Sequence, residues 1–196
     1  MPNSDFVSME YEAQEMISEE QYLRIYHDNM GLNYKFVYSE NTNIYYDTPD
    51  LFLMNHHMVL RIRGVKDKYR ELTLKIREED GVKEINYPLK EDEKITSLGN
   101  YPLISDALKE KGVNLLEIKY ITNLITKRLE VFKDGYIFVI DKNTYGNNTD
   151  YNLEVESTSL ELANKYLELE LEKYQIEKKK NYLSKSKRAI LSVINN

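Results

Sequence analysis

Acidic and basic side chains stand two residues apart in several extended stretches of this 196-residue chain. Glu10 and Glu12, Arg61 and Arg63, Arg128 and Glu130, and Glu154 and Glu156 each form such a pair, and Thr73, Lys75 and Arg77 form a row of three. In a strand, residues i and i+2 point to the same face, so each set projects its charges to one side of a sheet. Asp141 sits near the end of a further strand, beside apolar Ile140. Any one row suits the solvated face of an antiparallel sheet. The set is harder to assign to solvent, because the charges are sorted by strand. Glu10/Glu12 and Glu154/Glu156 are acidic and Arg61/Arg63 is basic, whereas a solvent-facing sheet mixes signs between neighbouring strands. Segregated acids and bases suit a polyanion with its cations. Carboxylate oxygens suit Mg²⁺ or Mn²⁺, hard ions that keep several waters and bridge to phosphate. Guanidinium forks suit phosphate oxygens two at a time. A closed barrel can turn such a face inward and its apolar face against helices.

Elements able to hold these side chains follow in order. Alternation predicts a strand over residues 9–14. Ser18 and Gln21 form a capping box that opens a helix, and Gly31 is placed to end it. Residues 35–46 read as extended, residues 47–50 as a turn around Pro49, and residues 59–65 as a strand. Residues 70–76 and 83–89 form a hairpin across Asp80-Gly81, and a helix over 101–111 has Pro102 near its start and Gly112 past its end. Two long strands, 120–132 and 136–145, meet at Asp134-Gly135, and a further strand covers 151–156. Thr158 and Glu161 form a second capping box, opening a helix that reaches about Tyr174, and a last helix covers 183–194. Glu168, Glu170 and Glu172 also alternate, but Leu160, Ala163, Leu167 and Leu171 follow helical spacing there, which excludes them as strand-borne ligands. About eight strands with three or four helices and short turns predict an α+β fold on an antiparallel sheet or barrel.

Composition narrows the function classes. Hydrophobic residues at 41% suffice for a core, and charged residues at 31% exceed the usual ~25%. The absence of cysteine excludes disulfides and thiolate zinc sites. No apolar run approaches the ~20 residues of a membrane span. Met1 to Ser8 has neither a basic nor an apolar stretch, so no signal peptide and a cytoplasmic protein are expected. The net charge of −6 argues against a surface that coats nucleic acid, and Lys178 to Lys180 reads as a solvated run. His27, His56 and His57 lack ligand spacing and read as surface or helix residues. No nucleophile elbow or P-loop is present.

In their order these residues resemble the CYTH superfamily, the triphosphate tunnel metalloenzymes, which includes class IV adenylyl cyclases, thiamine triphosphatases and inorganic triphosphatases. Glu10-Tyr11-Glu12-Ala13-Gln14 is similar to the E-x-E-x-K first strand of that family. Tyr45-Tyr46-Asp47-Thr48-Pro49-Asp50-Leu51 resembles its Y-Y-D-T-x-x-x-L turn, followed by Leu60-Arg61-Ile62-Arg63. Leu72-Thr73-Leu74-Lys75 resembles its T-x-K strand and Tyr151 to Glu156 its late E-x-E strand. The similarity runs from Glu10 to about Lys187 and is nearest to the small stand-alone CYTH proteins of Gram-positive bacteria.

The resemblance implies a closed, eight-stranded antiparallel β-barrel, or tunnel, with helices outside, in a single domain over residues 1–196 whose C-terminal helices begin at about 159. It implies that Glu10, Glu12, Glu154 and Glu156 ligate Mg²⁺ or Mn²⁺, with Asp141 an addition. Arg61, Arg63, Lys75 and Arg128 would bind triphosphate, joined by Lys185 or Lys187 from the C-terminal end. Glu84, with Lys75, would complete the catalytic wall or orient water. The implied activity is metal-dependent hydrolysis of tripolyphosphate or of a small organic triphosphate such as thiamine triphosphate or ATP. Adenylyl cyclisation and polyphosphate or nucleotide binding without turnover are the alternatives. A homodimer is compatible with it; nucleic acid and membrane are not expected partners. Gln14 stands where the family motif has lysine. Glutamine can hydrogen-bond but carries no charge, which bears on turnover more than on binding.

Overall fold

The computed structural model describes residues 6–179 and 183–194. In chain order the elements are β1 (Val7–Glu10), β2 (Glu12–Ile17), α1 (Glu19–Gly31), β3 (Lys35–Asp47), α2 (Phe52–Asn55), β4 (Met58–Val65), β5 (Tyr69–Arg77) and β6 (Val82–Leu89). They continue as α3 (Pro102–Glu110), β7 (Lys119–Lys133), β8 (Tyr136–Tyr145), β9 (Asn148–Glu156), α4 (Leu160–Lys173) and α5 (Lys185–Ile194). One antiparallel sheet has the order β1-β6-β5-β4-β3-β7-β8-β9-β2. Its two edges, β1 and β2, are successive parts of one segment separated only by Tyr11. The sheet therefore curls round until its edges meet through the chain itself.

This split refines the expected single strand over 9–14. Glu10 lies opposite Val82 of β6, while Glu12 lies opposite Glu156 of β9. At the seam the Tyr11 carbonyl accepts from the Ser157 amide at 3.1 Å. Gly81 presses against the same point, where a Cβ would lie 2.9 Å from the Glu10 carbonyl oxygen. Counting β1 and β2 as one strand recovers the eight of the implied barrel.

The outward faces are apolar, because alternation sends the charged rows the other way. Leu129, Val131, Phe138, Ile140, Leu153 and Val155 pack under α1 and α4, against Ile25, Ala163 and Leu167. Leu60, Ile62, Leu72, Leu74 and Ile85 pack under α3, against Ile104 and Leu108. Ser18 and Gln21 form the expected capping box at α1, with bonds of 3.2 and 2.8 Å. At α4 the cap is Ser159, whose hydroxyl accepts from the Leu162 amide at 3.2 Å, and not Thr158 with Glu161. Helix α2 was not expected. Buried Asp47 builds it by accepting from the amides of Leu53 and Met54 at 2.8 and 2.9 Å. No helix among the described residues is long and apolar enough to cross a membrane.

Helix α5 closes one mouth of the barrel, with Ala189 and Ile190 against Tyr45, Leu124 and Tyr145. Two devices hold it there. Glu15, fully buried, accepts from the backbone amide of Lys179 at 2.9 Å and so fixes the chain leading to α5. Asp150 takes both ends of the Arg188 guanidinium at 2.7 and 3.0 Å, and also accepts from the Tyr145 hydroxyl at 2.6 Å. Burial pushes the Asp150 carboxyl up, but the bonds from Arg188 and Tyr145 outweigh it and hold the pKa below the ordinary value. A depressed carboxyl contributes stability above its unfolded pKa and loses it as pH falls through the folded one. Asp150→Asn should therefore cost about 1–3 kcal/mol at pH 7 by urea denaturation, and the gap from wild type should close as pH falls below about 4.

Candidate active site in the barrel interior

The inward rows meet around a cavity of about 200 Å³. Glu10, Glu12 and Glu154 line it together with Arg61, Arg63, Lys75 and Arg128, and α5 contributes Lys185 and Lys187. Glu84 and Glu156 border a second opening, which Glu10 shares, so the interior opens on two sides. Charged residues singled out by spacing are thus brought together from six strands, and the resemblance adds Glu84 from β6 and Lys185 and Lys187 from α5.

Two groups of ion pairs organise this interior. In the first, the Lys75 ammonium bridges Glu10, at 2.5 Å, and Glu84. Arg61 Nη2 stands 3.9 Å from Glu84. Burial raises the Glu84 carboxyl, but Lys75 and Arg61 pull it down to about 2. In the second, Arg128 grips Asp141 with two bonds of 2.9 and 2.8 Å and reaches Glu154 at 2.5 Å. Lys185 lies 2.5 Å from Asp141 and 2.9 Å from Glu154. Burial opposes the ionised Glu154, yet Lys185 and Arg128 hold its pKa far below the ordinary range.

Other groups are left unbalanced. Glu12 has no ion pair among the described residues; burial, then Glu10 and Glu154, push its carboxyl up to about 8. Glu156 reaches about 7 through burial and its acidic neighbours, with Arg128 opposing from 3.6 Å. On the facing wall, burial and the charges of Arg61 and Arg128 lower the pKa of Arg63, which likewise has no ion pair among the described residues. The Nε groups of Arg61 and Arg63 are buried without a partner. One wall calls for added positive charge and the other for an anion.

Among the described residues no three acidic or histidine side chains form a ready-made metal cage. The donor chemistry nevertheless fits a hard divalent ion, because Glu10, Glu12 and Glu154 share one cavity and Glu12 is raised partly by the other two. Asp141 differs from this set. It is wholly buried and does not line the cavity, and Arg128 and Lys185, which also hold Glu154, bind both of its oxygens. Gln14 lines the cavity, opposite Glu154 in the strand register. His57, expected at the surface, is exposed but also borders the cavity mouth, at the end of the α2 turn. Asn41 and Asn43 on β3 were missed because they are uncharged; their alternation with Tyr45 on an inward face was the available signal. Glu170 is confirmed as helical, where it pairs with Lys133 away from the cavity. Of the basic run, Lys178 pairs with Glu168 at 3.0 Å, and Lys180 lies outside the described residues.

The CYTH domain family profile matches residues 8–188. The chain belongs to the CYTH family. YjbK of Bacillus subtilis, a candidate triphosphatase, is 30% identical over 124 residues, covering 61% of this chain and 63% of YjbK. The match thus spans less than two thirds of that relative. A candidate adenylate cyclase from Bacillus halodurans superposes with a TM-score of 0.79 at 26% identity, over 93% of this chain and 97% of the other. HpAC1 from Hippeastrum, a candidate adenylyl cyclase with a dominant triphosphatase activity, shares the fold with a TM-score of 0.66 at 20% identity, over 91% and 93% of the two chains. The curled sheet with external helices is therefore the CYTH tunnel fold.

Two variants test the charge balance of this CYTH interior. Arg128→Ala strands Asp141 and Glu154 and should cost about 3–5 kcal/mol in urea denaturation. Glu12→Gln should act oppositely in the presence of a chelator. A carboxyl raised in the folded state loses stability as pH climbs from its unfolded pKa to its folded one. The thermal midpoint of Glu12→Gln should therefore exceed that of wild type by a margin that grows above pH ~4.5 and levels off near pH 8.

Proposed function

We propose that this CYTH protein hydrolyses inorganic tripolyphosphate or a small organic triphosphate inside the tunnel, with Mg²⁺ or Mn²⁺. The observation that carries the reading is Arg63 beside Arg61, without an ion pair among the described residues and with its Nε buried and unpartnered, facing a cavity whose other wall holds the under-neutralised Glu12. Such a cavity is matched by a polyanion that arrives with cations. The likeness to YjbK supports the same class of substrate.

Arg61 and Arg63 would grip phosphate oxygens, and Lys75 and Lys187 would add charge where the transferring phosphoryl group becomes more negative. Glu10, Glu12, Glu154 and Glu156 would hold the metal, which when bound offsets phosphate charge and lowers the pKa of a coordinated water. Glu84, with a pKa of about 2, is a poor proton acceptor at neutral pH. Its role is to fix Lys75 and Arg61 in place. Attack by water on the terminal phosphorus, in line with the leaving oxygen, completes hydrolysis. A second reading, binding without turnover, is favoured by the neutral Gln14 in the cavity wall.

Phosphate release from tripolyphosphate, thiamine triphosphate and ATP, with Mg²⁺ or Mn²⁺, tests the proposal. Metal-dependent release is expected with at least one of them, and Arg63→Ala should lower kcat/KM about 10²-fold. Cyclic AMP as the product from ATP would indicate cyclisation. No turnover, together with a thermal midpoint raised by tripolyphosphate, would leave the binding reading. Activity gained in Gln14→Lys would then trace the loss to position 14.

A further inference from the structure

Asn41 and Asn43 stand on the inward face of β3, opposite Thr126 of β7 and Arg63 of β4 respectively. Both line the cavity and are 2% and 4% exposed. Neither side chain makes a hydrogen bond to any described residue, and each buries its Oδ1 without a partner. Other inward amides engage neighbouring side chains, although Asn86 on β6, which donates to Glu84 at 3.2 Å, also leaves its Oδ1 without a partner. Asn143 donates to Asn152 at 2.7 Å and accepts from Thr126 at 2.8 Å, and Asn152 donates to Glu154 at 3.1 Å. A buried amide without partners is destabilising, and buried polar groups are rarely left that way. Here two such amides lie in one row beside two guanidinium Nε groups that also lack partners. An aliphatic pair at 41 and 43 would hold the barrel wall without this penalty.

We propose that Asn41 and Asn43 are ligand-binding residues of the tunnel, whose side-chain amides, with Arg63, hold the non-bridging oxygens of a triphosphate. The proposal rests on the reading given under Proposed function and names neutral contacts within it. Each amide presents two N–H donors and a carbonyl acceptor. The donors suit phosphate oxygens, and the carbonyl can accept from a protonated phosphate oxygen or from a water that travels with the ligand. Neutral donors hold the triphosphate in place without adding to the repulsion that Arg61 and Arg128 already impose on Arg63.

The signature of such residues is opposite effects on stability and binding. Full-length wild type, Asn41→Ala, Asn43→Ala and Asn43→Asp are titrated calorimetrically with tripolyphosphate in EDTA, and their ligand-free thermal midpoints are measured. Each alanine variant should weaken binding about tenfold, the value of one lost hydrogen bond of 1.4 kcal/mol. Asn43→Asp should weaken it further, because it sets a carboxylate against the phosphate. The free alanine variants should melt at or above the wild-type temperature. Binding equal to wild type in both alanine variants would overturn the proposal while leaving the triphosphate reading intact. A midpoint that falls in step with affinity, or failure to fold, would assign the asparagines to the wall and overturn it too. A folded wild type that binds tripolyphosphate neither in EDTA nor with Mg²⁺ or Mn²⁺ would remove the triphosphate reading and this inference with it.

Discussion

A sheet that closes with its charged face inward must neutralise those charges among themselves or leave them for a ligand. Arg128 is where this protein does the first. Its guanidinium, buried at the centre of β7, holds Asp141 of β8 and Glu154 of β9, with Glu130 and Glu156 at 3.8 and 3.6 Å. Burial alone would lower the pKa of Arg128, but Asp141 and Glu154 more than reverse that. The three strands thus share one charge centre, and α5 joins it through Lys185. A buried network of this kind contributes little net stability relative to apolar packing. Its value is that only one register of β7, β8 and β9 brings the partners together.

The opposite half of the barrel is balanced less completely. Lys75 neutralises Glu10 and Glu84, yet among the described residues neither Arg63, opposite Asn43, nor Glu12 forms an ion pair, and the attractions of Glu71 for Arg63 and of Lys75 and Lys185 for Glu12 do not offset burial and like charge. Both residues are held facing the cavity by strands whose outer faces are packed under helices, so neither can turn to the outer surface by a local adjustment. The apolar exterior thereby sustains an interior that is unfavourable by itself. Stabilising substitutions and binding substitutions are expected to fall on different residues for this reason.

Alternation was enough to read the strand rows, because side-chain period is a local property. It placed Glu10, Glu12, Arg61, Arg63, Lys75, Arg128 and Glu154 on faces that do converge. It could not show the break at Tyr11, which depends on Ser157 and Gly81 approaching from distant parts of the chain. Nor could it separate Asp141 from the other acids, since its partners Arg128 and Lys185 are 13 and 44 residues away. Asn41 and Asn43 share the spacing of the arginines but carry no charge to mark their inward face in the sequence. Helix α2 is a single short turn held by the Asp47 carboxylate and the Thr48 hydroxyl, too short for hydrophobic periodicity to mark.

The substitution at Gln14 takes on a different weight in this setting. Position 14 faces Glu154 across the β2–β9 ladder, and that carboxylate already receives both Arg128 and Lys185. A lysine at 14 would bring a third cation toward one acid, whereas glutamine leaves the local balance intact. Lys185 reaches Glu154 only because α5 is tied down through Arg188 and Asp150, and because Glu15 fixes the segment before it. The carboxylate opposite position 14 thus takes its cations from β7 and α5. The neutral residue at 14 is accordingly a feature to be judged together with α5, not as an isolated loss.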